Sequence, residues 1–566
     1  MQRIRDYGAS EQMEHRLYVM REMVTLAEAI GFSDSCICLI ETIEQLIYDK
    51  EVTVKLKLAE NFTQLALYLF KVGGSDNRQM IFSKIIPIFS ELLLDRDSQV
   101  REVATASFLN LAENLDGPAI IQGIVPFLDK LYNEGEDNKV LSITLLNKIA
   151  KNLGKEYTIS DILPTLQNKI LLDTLYRVRV AMVNSMPSLF EVIGIEETTN
   201  TLFSIYQELA KDEIWSVRKA CADILGALAK SITLSKCTEE LVPIFEAFAT
   251  DNSRWVRTAA YSSLGLIISI AKPLKPSLVD TFCKLAIDTP QTEYCDIEHP
   301  RICAYSFPAV LDTLGPDGWK QLEETYILLA CSAQKEVRKT IACSLHVVAN
   351  ISGEAKTEQL LLPIFESYLN DFEEIKKETL KNFVNFLKKI QMEKRKNFLW
   401  VLEEVQHSDV DWRLRKIIGQ QIGELSLLFD SNTTYNEITP YFFGLVQDPV
   451  AKIRKITLSQ AGKIVESLSS STQKRNDFLK RVIELGISPS YQHRIIFSKI
   501  CGKIAHSVEP EIFKQQLLPP LLKLAQDNVI NCQIITRETL NELVSLAPYK
   551  TNPLISSALN KRQPDK

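Results

Sequence analysis

The stretch Asp251-Asn252-Ser253-Arg254-Trp255-Val256-Arg257-Thr258-Ala259-Ala260 joins two apolar helical runs, Leu241 to Ala249 before it and Val256 to Ile270 after it. Asp251 is placed to cap the second helix, because a carboxylate accepts bonds from the N–H groups that a helix N-terminus leaves unpaired. Val256 falls on the apolar face, and Arg257 points back across the turn toward neighbouring acids. A helix, a turn with Asp, then Val-Arg opening a second helix is a unit that buries its apolar faces only by stacking on copies of itself.

The unit recurs. With Arg257 as phase marker, the aligned residues are Arg16, Lys55, Arg101, Leu141, Arg179, Arg218, Arg257, Arg301, Arg338, Lys376, Arg415, Arg454, Arg494 and Gln533. Neighbouring markers stand 37 to 46 residues apart, most of them near 39, which is the spacing of two-helix repeats. Ten of the fourteen markers are Arg and two are Lys, so the phase does not come from loose matching. The pattern predicts an all-α protein, an α–α superhelix of HEAT type with about 14 two-helix repeats. Residues 1–548 are expected to make a single solenoid, and residues 549–566 a polar, frayed tail.

Composition agrees with a repeat array. Hydrophobic residues make up 46% of 566, while Gly (20) and Pro (22) are sparse and are expected at helix ends. A net charge of −6 with no basic stripe argues against nucleic acid and anionic membrane as partners. Met1 to Ser10 is polar, without the apolar segment of a secretory signal. The longest apolar run, near Leu264 to Ala271, is short of the roughly 20 residues that span a bilayer. Eleven scattered cysteines with no paired framework lead us to expect a reducing compartment, cytoplasmic or nuclear.

The units differ in regularity. The fourth has Leu141 where the marker is basic elsewhere, and its preceding acidic turn, Asn133 to Asp137, reads as a solvated loop. The eighth carries an insertion, Asp288 to Pro300. Tyr176, Trp215, Trp412 and Tyr491 stand three residues before their markers, and Trp255 one position later beside Arg254. Placed in the turns, these rings either pack on the next turn or, with Arg alongside, have the composition of binding hot spots.

Catalytic patterns are missing. The chain has no phosphate-binding Gly-Lys-Ser/Thr loop, no His-Glu-x-x-His and no Gly-x-Ser-x-Gly, so no enzyme activity and no cofactor are expected. His346 lies on an apolar helix and reads as a satisfied core residue. Cys295, His299 and Cys303, with Cys283 upstream, lack the paired Cys-x-x-Cys knuckles of a zinc site, so no metal is assigned.

Three runs carry a resemblance: Trp215 to Ala222, Ser253 to Ala260, and Val446 to Arg454. In register from about Arg16 to Leu540, the chain resembles regulatory subunit 1 of protein phosphatase 4. It is also similar to the scaffold (A) subunit of protein phosphatase 2A, a HEAT solenoid of about this length. The long acidic insertion of vertebrate members of the first family has no counterpart in these residues. The resemblance implies a non-catalytic subunit of a type 2A-like serine/threonine phosphatase. Its catalytic partner would contact the C-terminal turns through Trp412, Arg413, Arg415, Lys452, Tyr491 and His493. Substrates or additional regulatory subunits would contact Tyr176, Trp215, Arg254 and Trp255. An aromatic of the 2A scaffold aligns with Ala451, so that contact does not carry over. The alternatives are the 2A scaffold role itself and, from another class, an importin-like transport adaptor.

Overall fold

The computed structural model describes residues 1–287, 297–407 and 411–560. Among them every regular element is helical. Two compact units divide the chain, one built on Met1–Lys284 and the other from Cys303 onward, and the division falls inside the helix Glu298–Leu314. Within each unit, pairs of antiparallel helices follow one another as the phase marker predicts. In the first unit the second helices Glu136–Tyr157, Tyr176–Glu197, Trp215–Ser231 and Arg254–Ile270 pack side by side in chain order. In the second, Trp412–Ser426, Ala451–Leu458 and Tyr491–Ile504 do the same.

The residue before each marker explains the Val-Arg pair. Val54, Val100, Val178, Val217, Val256, Val337 and Ile453 are all fully buried and fix the rotation of the second helix. At Arg218, Arg338 and Arg494, among others, the marker then points along the turn, where its fork holds two turns at once. Arg218 Nη1 donates to the Asp212 and Glu213 carbonyls of its own turn, at 2.8 and 2.9 Å. Its Nε and Nη2 donate to both carboxylate oxygens of Asp251 in the next turn, at 2.7 and 3.0 Å. Asp251 Oδ1 also accepts the Ser253 N–H at 2.8 Å, and its own carbonyl accepts Arg257 Nη1 at 2.6 Å. Asp251 is therefore not the capping residue, a position held by Ser253; it braces the turn two residues earlier.

The same rung joins Arg16 to Asp49, Lys55 to Asp95 and Arg179 to Asp212 in the first unit. Arg338 to Asp371, Arg415 to Asp448 and Arg494 to Asp527 repeat it in the second. In the degenerate fourth repeat Lys139 replaces the missing marker and reaches Asp173 at 2.6 Å. The acidic turn before it is not a free loop. Glu136 and Asp137 lie in the first turn of a helix and pair with Arg177 at 3.3 and 3.0 Å.

Return corners between repeats depend on glycine. Gly154, Gly194 and Gly353 take φ between 80° and 86° with ψ near 170°, a region closed to other residues. Four residues on, the hydroxyls of Thr158, Thr198 and Thr357 donate to those glycine carbonyls at 2.7 to 2.8 Å. Prolines do not sit only at helix ends. Pro126, Pro243, Pro363, Pro440 and Pro519 follow a π-turn inside the first helix of their repeats. A proline ring clashes with the carbonyl four residues back and offers no N–H, and the wider turn accommodates both defects.

Two further expectations change. Tyr549 is fully buried with its hydroxyl on the Ala505 carbonyl, and the helix Pro553–Asn560 buries Ile555, so the chain beyond 548 stays packed through 560. One stretch, Tyr176–Leu209, is long and apolar enough to cross a membrane by length and composition, with mean hydropathy 1.3. Its backbone turns at Gly194, and Val178, Met182, Met186 and Leu189 bury its apolar side in the core of the repeats.

Replacing Gly194 by Ala is expected to cost about 1–3 kcal/mol of stability through backbone strain alone, since a Cβ there meets nothing within 4 Å. Equilibrium unfolding in urea measures it, and an unchanged midpoint refutes the strained-corner reading. The Arg338 and Arg494 forks hold the carboxyls of Asp371 and Asp527 below their ordinary value of 3.8. A depressed carboxyl stabilises the fold above its ordinary pKa, and that stabilisation is lost as pH falls below about 4. Asp371→Asn is expected to lower stability at pH 7 by roughly 1.5–3 kcal/mol and to lose less than the wild type between pH 7 and pH 3. Thermal melts followed by circular dichroism at the two pH values compare the acid losses.

Candidate functional site: two rows of exposed aromatics

Position on the second helix decides which side chains remain free. A residue two places before the buried Val lies about 200° around the helix from it, on the solvent side. Tyr176 and Trp215 occupy that place before Val178 and Val217, and Trp412 before the buried Leu414, while Tyr491 precedes the half-buried His493; each is the first residue of its second helix rather than in the turn itself. They are 45%, 46%, 37% and 43% exposed, and Trp255, second in its helix, is 52% exposed. Each of these side chains is thus partly covered by its surroundings and partly open to solvent.

The first row, in the first unit, runs over three consecutive second helices: Tyr176, Trp215, then Arg254 with Trp255. The Arg254 guanidinium lies 4.4 Å from the centre of the Trp255 ring, a cation–π pair on an open surface. The second row, in the second unit, runs over Trp412 with Arg413, then Lys452, then Tyr491 with His493. Arg413 lies 5.1 Å from the Trp412 ring centre. Its backbone N–H binds the carboxylate of the buried Asp411 at 2.8 Å, which fixes where the Trp412 helix begins. Lys452 is exposed and forms no ion pair among the described residues. His493 shares a hydrogen bond of 3.0 Å with the Ser488 hydroxyl.

Arg415 stands apart from its neighbours. Its Nε binds Asp448 at 2.7 Å with only 15% of the side chain exposed, so its first role is to join two repeats. Reading the sequence alone gave it the same weight as Arg413. The difference of two positions around the helix separates a half-buried bracing arginine from an exposed one.

Elsewhere the chemistry is sparse. Among the described residues no group of His, Cys, Asp or Glu is arranged to hold a metal. Cys295 lies outside the described residues, while His299 stacks edge-on to Tyr261 at 4.9 Å and Cys303 is fully buried. His346 is on an apolar helix as expected but is not satisfied: its buried Nδ1 has no hydrogen-bond partner, and burial lowers its pKa. Burial likewise raises the Cys237 thiol to about 11 and the Cys221 and Cys501 thiols well above their ordinary value, leaving them inert as nucleophiles.

Alternating helices, a repeating Val-Arg register and a bracing ion pair between successive turns make this an all-α HEAT-repeat protein, and a HEAT-repeat profile matches residues 202–232. More specifically, the profile described as protein phosphatase 4 regulatory subunit 1 middle domain matches residues 303–405, ending seven residues before Trp412. Serine/threonine-protein phosphatase 4 regulatory subunit 1 of Homo sapiens is 31% identical over 280 residues, and the Mus musculus protein is the same. That alignment covers 48% of this chain, less than the near-complete register the quoted runs suggested, and 29% of each relative's own length. Among solved structures, importin beta superposes with a TM-score of 0.62 at 13% identity, covering 95% of this chain and 77% of that one. Yeast importin-beta gives 0.58 at 12%, covering 96% and 74%. At such identities the likeness shows a shared solenoid fold.

Proposed function

We propose that this chain is a non-catalytic regulatory subunit of a type 2A-like serine/threonine phosphatase, with protein phosphatase 4 as its enzyme. The observation that carries the reading is the middle-domain match over residues 303–405, followed directly by the exposed Trp412–Arg413 pair. The row Trp412, Arg413, Lys452, Tyr491 and His493 receives the catalytic subunit. A tryptophan held rigid at a helix start, with an arginine over its face, supplies large contact area at small entropic cost. The row Tyr176, Trp215, Arg254 and Trp255 receives a substrate or a further subunit. Holding substrate near another chain's catalytic centre raises its effective concentration, which requires no chemistry from the subunit itself.

A pull-down with the tagged full chain, probed for the catalytic subunits of phosphatases 4, 2A and 6, tests this. The wild type is expected to retain the phosphatase 4 catalytic subunit. Trp412→Ala with Arg413→Ala is expected to weaken capture by about thirtyfold or more, the scale of a hot-spot loss. Trp412 is 37% exposed, so circular dichroism of the variant accompanies the pull-down, and a helical signal equal to the wild type assigns the loss to the surface. Retention of the phosphatase 2A catalytic subunit instead transfers the chain to a scaffold role there. Retention of a Ran-type GTPase with no phosphatase overturns the reading in favour of transport.

A further inference from the structure

The bracing ladder has a gap in the second unit, and the gap opens into a groove. Arg454 Nη1 donates to the Asp448 and Pro449 carbonyls of its own turn at 2.6 and 2.8 Å, as Arg218, Arg338 and Arg494 do in theirs. The residue that should meet its fork from the next turn is Ser488 rather than Asp. Ser488 occupies the acid's place in its backbone bonds, and its hydroxyl also shares the hydrogen bond with His493. Its carbonyl accepts Arg494 Nη1 at 2.9 Å and its Oγ accepts the Ser490 N–H at 3.3 Å. Compare Asp212, whose carbonyl accepts Arg218 Nη1 at 2.8 Å and whose carboxylate accepts the Ile214 N–H at 2.9 Å. The corresponding Nε and Nη2 of Arg454 therefore meet no acid among the described residues.

Around this fork lies a groove of about 720 Å³ over three consecutive second helices. Lys455, Lys499 and Lys503 line it beside Arg454, and two acids, Glu538 and Glu542, stand on the far helix. Among the described residues only Lys503 is neutralised across the groove, by Glu542 at 3.8 Å. The near wall thus keeps three cations against the single remaining acid. Ile534 and Ile535 give the floor an apolar strip, and Ile534 is 38% exposed. Tyr491 and His493 form the rim.

We propose that this groove binds an acidic peptide segment of a partner protein, whose side-chain carboxylate enters the Arg454 fork and completes the missing rung. A carboxylate fits because the identical fork, on the identical turn, takes an Asp two-pronged at Arg218, Arg338 and Arg494. The lysines supply the surrounding positive field, and the isoleucines accept an apolar residue between the acids. The groove shares its rim residues Tyr491 and His493 with the row proposed for the catalytic subunit, but its carboxylate contact lies elsewhere. It draws on Arg454 and the lysines, and capture through Trp412 and Arg413 is scored separately.

The test titrates the full chain against a short fluorescein-labelled peptide alternating glutamate and leucine, and against its glutamine counterpart, by fluorescence anisotropy. Saturable binding of the glutamate peptide, weakened by salt and absent for the glutamine peptide, is expected. Arg454→Gln is expected to weaken it about ten- to a hundredfold. The decisive variant is Ser488→Asp, which supplies the rung from within. It is expected to raise the melting temperature and at the same time to abolish peptide binding, so the loss cannot be attributed to unfolding. Undiminished binding by Ser488→Asp, equal binding of the glutamine peptide, or no saturable binding by the wild type overturns the proposal.

Discussion

An arginine that grips two turns at once sets the geometry of each unit. One nitrogen of the guanidinium holds carbonyls of its own turn, and the other two hold the carboxylate of the next, as Arg218 does between Asp212 and Asp251. Rotating one repeat against its neighbour stretches charge-assisted bonds at a site that water reaches poorly, and the buried valine one residue earlier stops the arginine backbone from following. Hydrophobic burial holds the helices together, but apolar packing alone is tolerant of small slides. The directional rung removes that tolerance. Glycine corners at Gly154, Gly194 and Gly353 then return the chain to the start of the next pair.

The exposed aromatics follow from the same register. Once valine must face inward and arginine must face the neighbouring turn, the first residue of the second helix has solvent as its surroundings. A polar residue there is indifferent to the fold, whereas a tryptophan exposes apolar surface that the fold itself does not use. Trp215, Trp255 and Trp412 therefore leave apolar surface open to solvent, and Arg254 and Arg413 lie over two of those rings. The solenoid fold is shared with importin beta at very low identity, so the fold cannot choose between partners. The choice lies in which residues occupy the free positions.

Interruptions of the ladder mark where the surface gains chemistry of its own. Arg101 also holds only its own turn, through the Asp95 and Arg96 carbonyls, and a groove of about 1020 Å³ opens beside it. There the lining charges are mixed, with Asp95, Glu102 and Asp137 facing Arg96 and Lys148, so the surroundings favour no one sign of ligand. At Arg454 the surroundings are cationic, and the same missing rung acquires a direction.

The sequence by itself determined the repeat, its phase and the inward valine, because a helical period of apolar residues with a basic residue every 39 or so positions has one compact solution. It placed the aromatics Tyr176, Trp215, Trp412 and Tyr491 in the turns, whereas the structure makes each the first residue of its second helix. What it did not carry was the partner of each charge. Arg413 and Arg415 look alike as letters, yet one lies over Trp412 and the other is bound to Asp448, 33 residues away. Lys139 in place of Leu141, the corner glycines with their threonine hydroxyls, and the packed helix at Pro553–Asn560 were likewise decided by tertiary structure. Ser488 was visible throughout as a serine in an acid's position, but only the bonds of Asp212 and Asp251 show what that acid does. The physical reason is that a hydrogen bond between repeats depends on the distance between chain segments remote in sequence, and that distance exists only once the repeats have stacked.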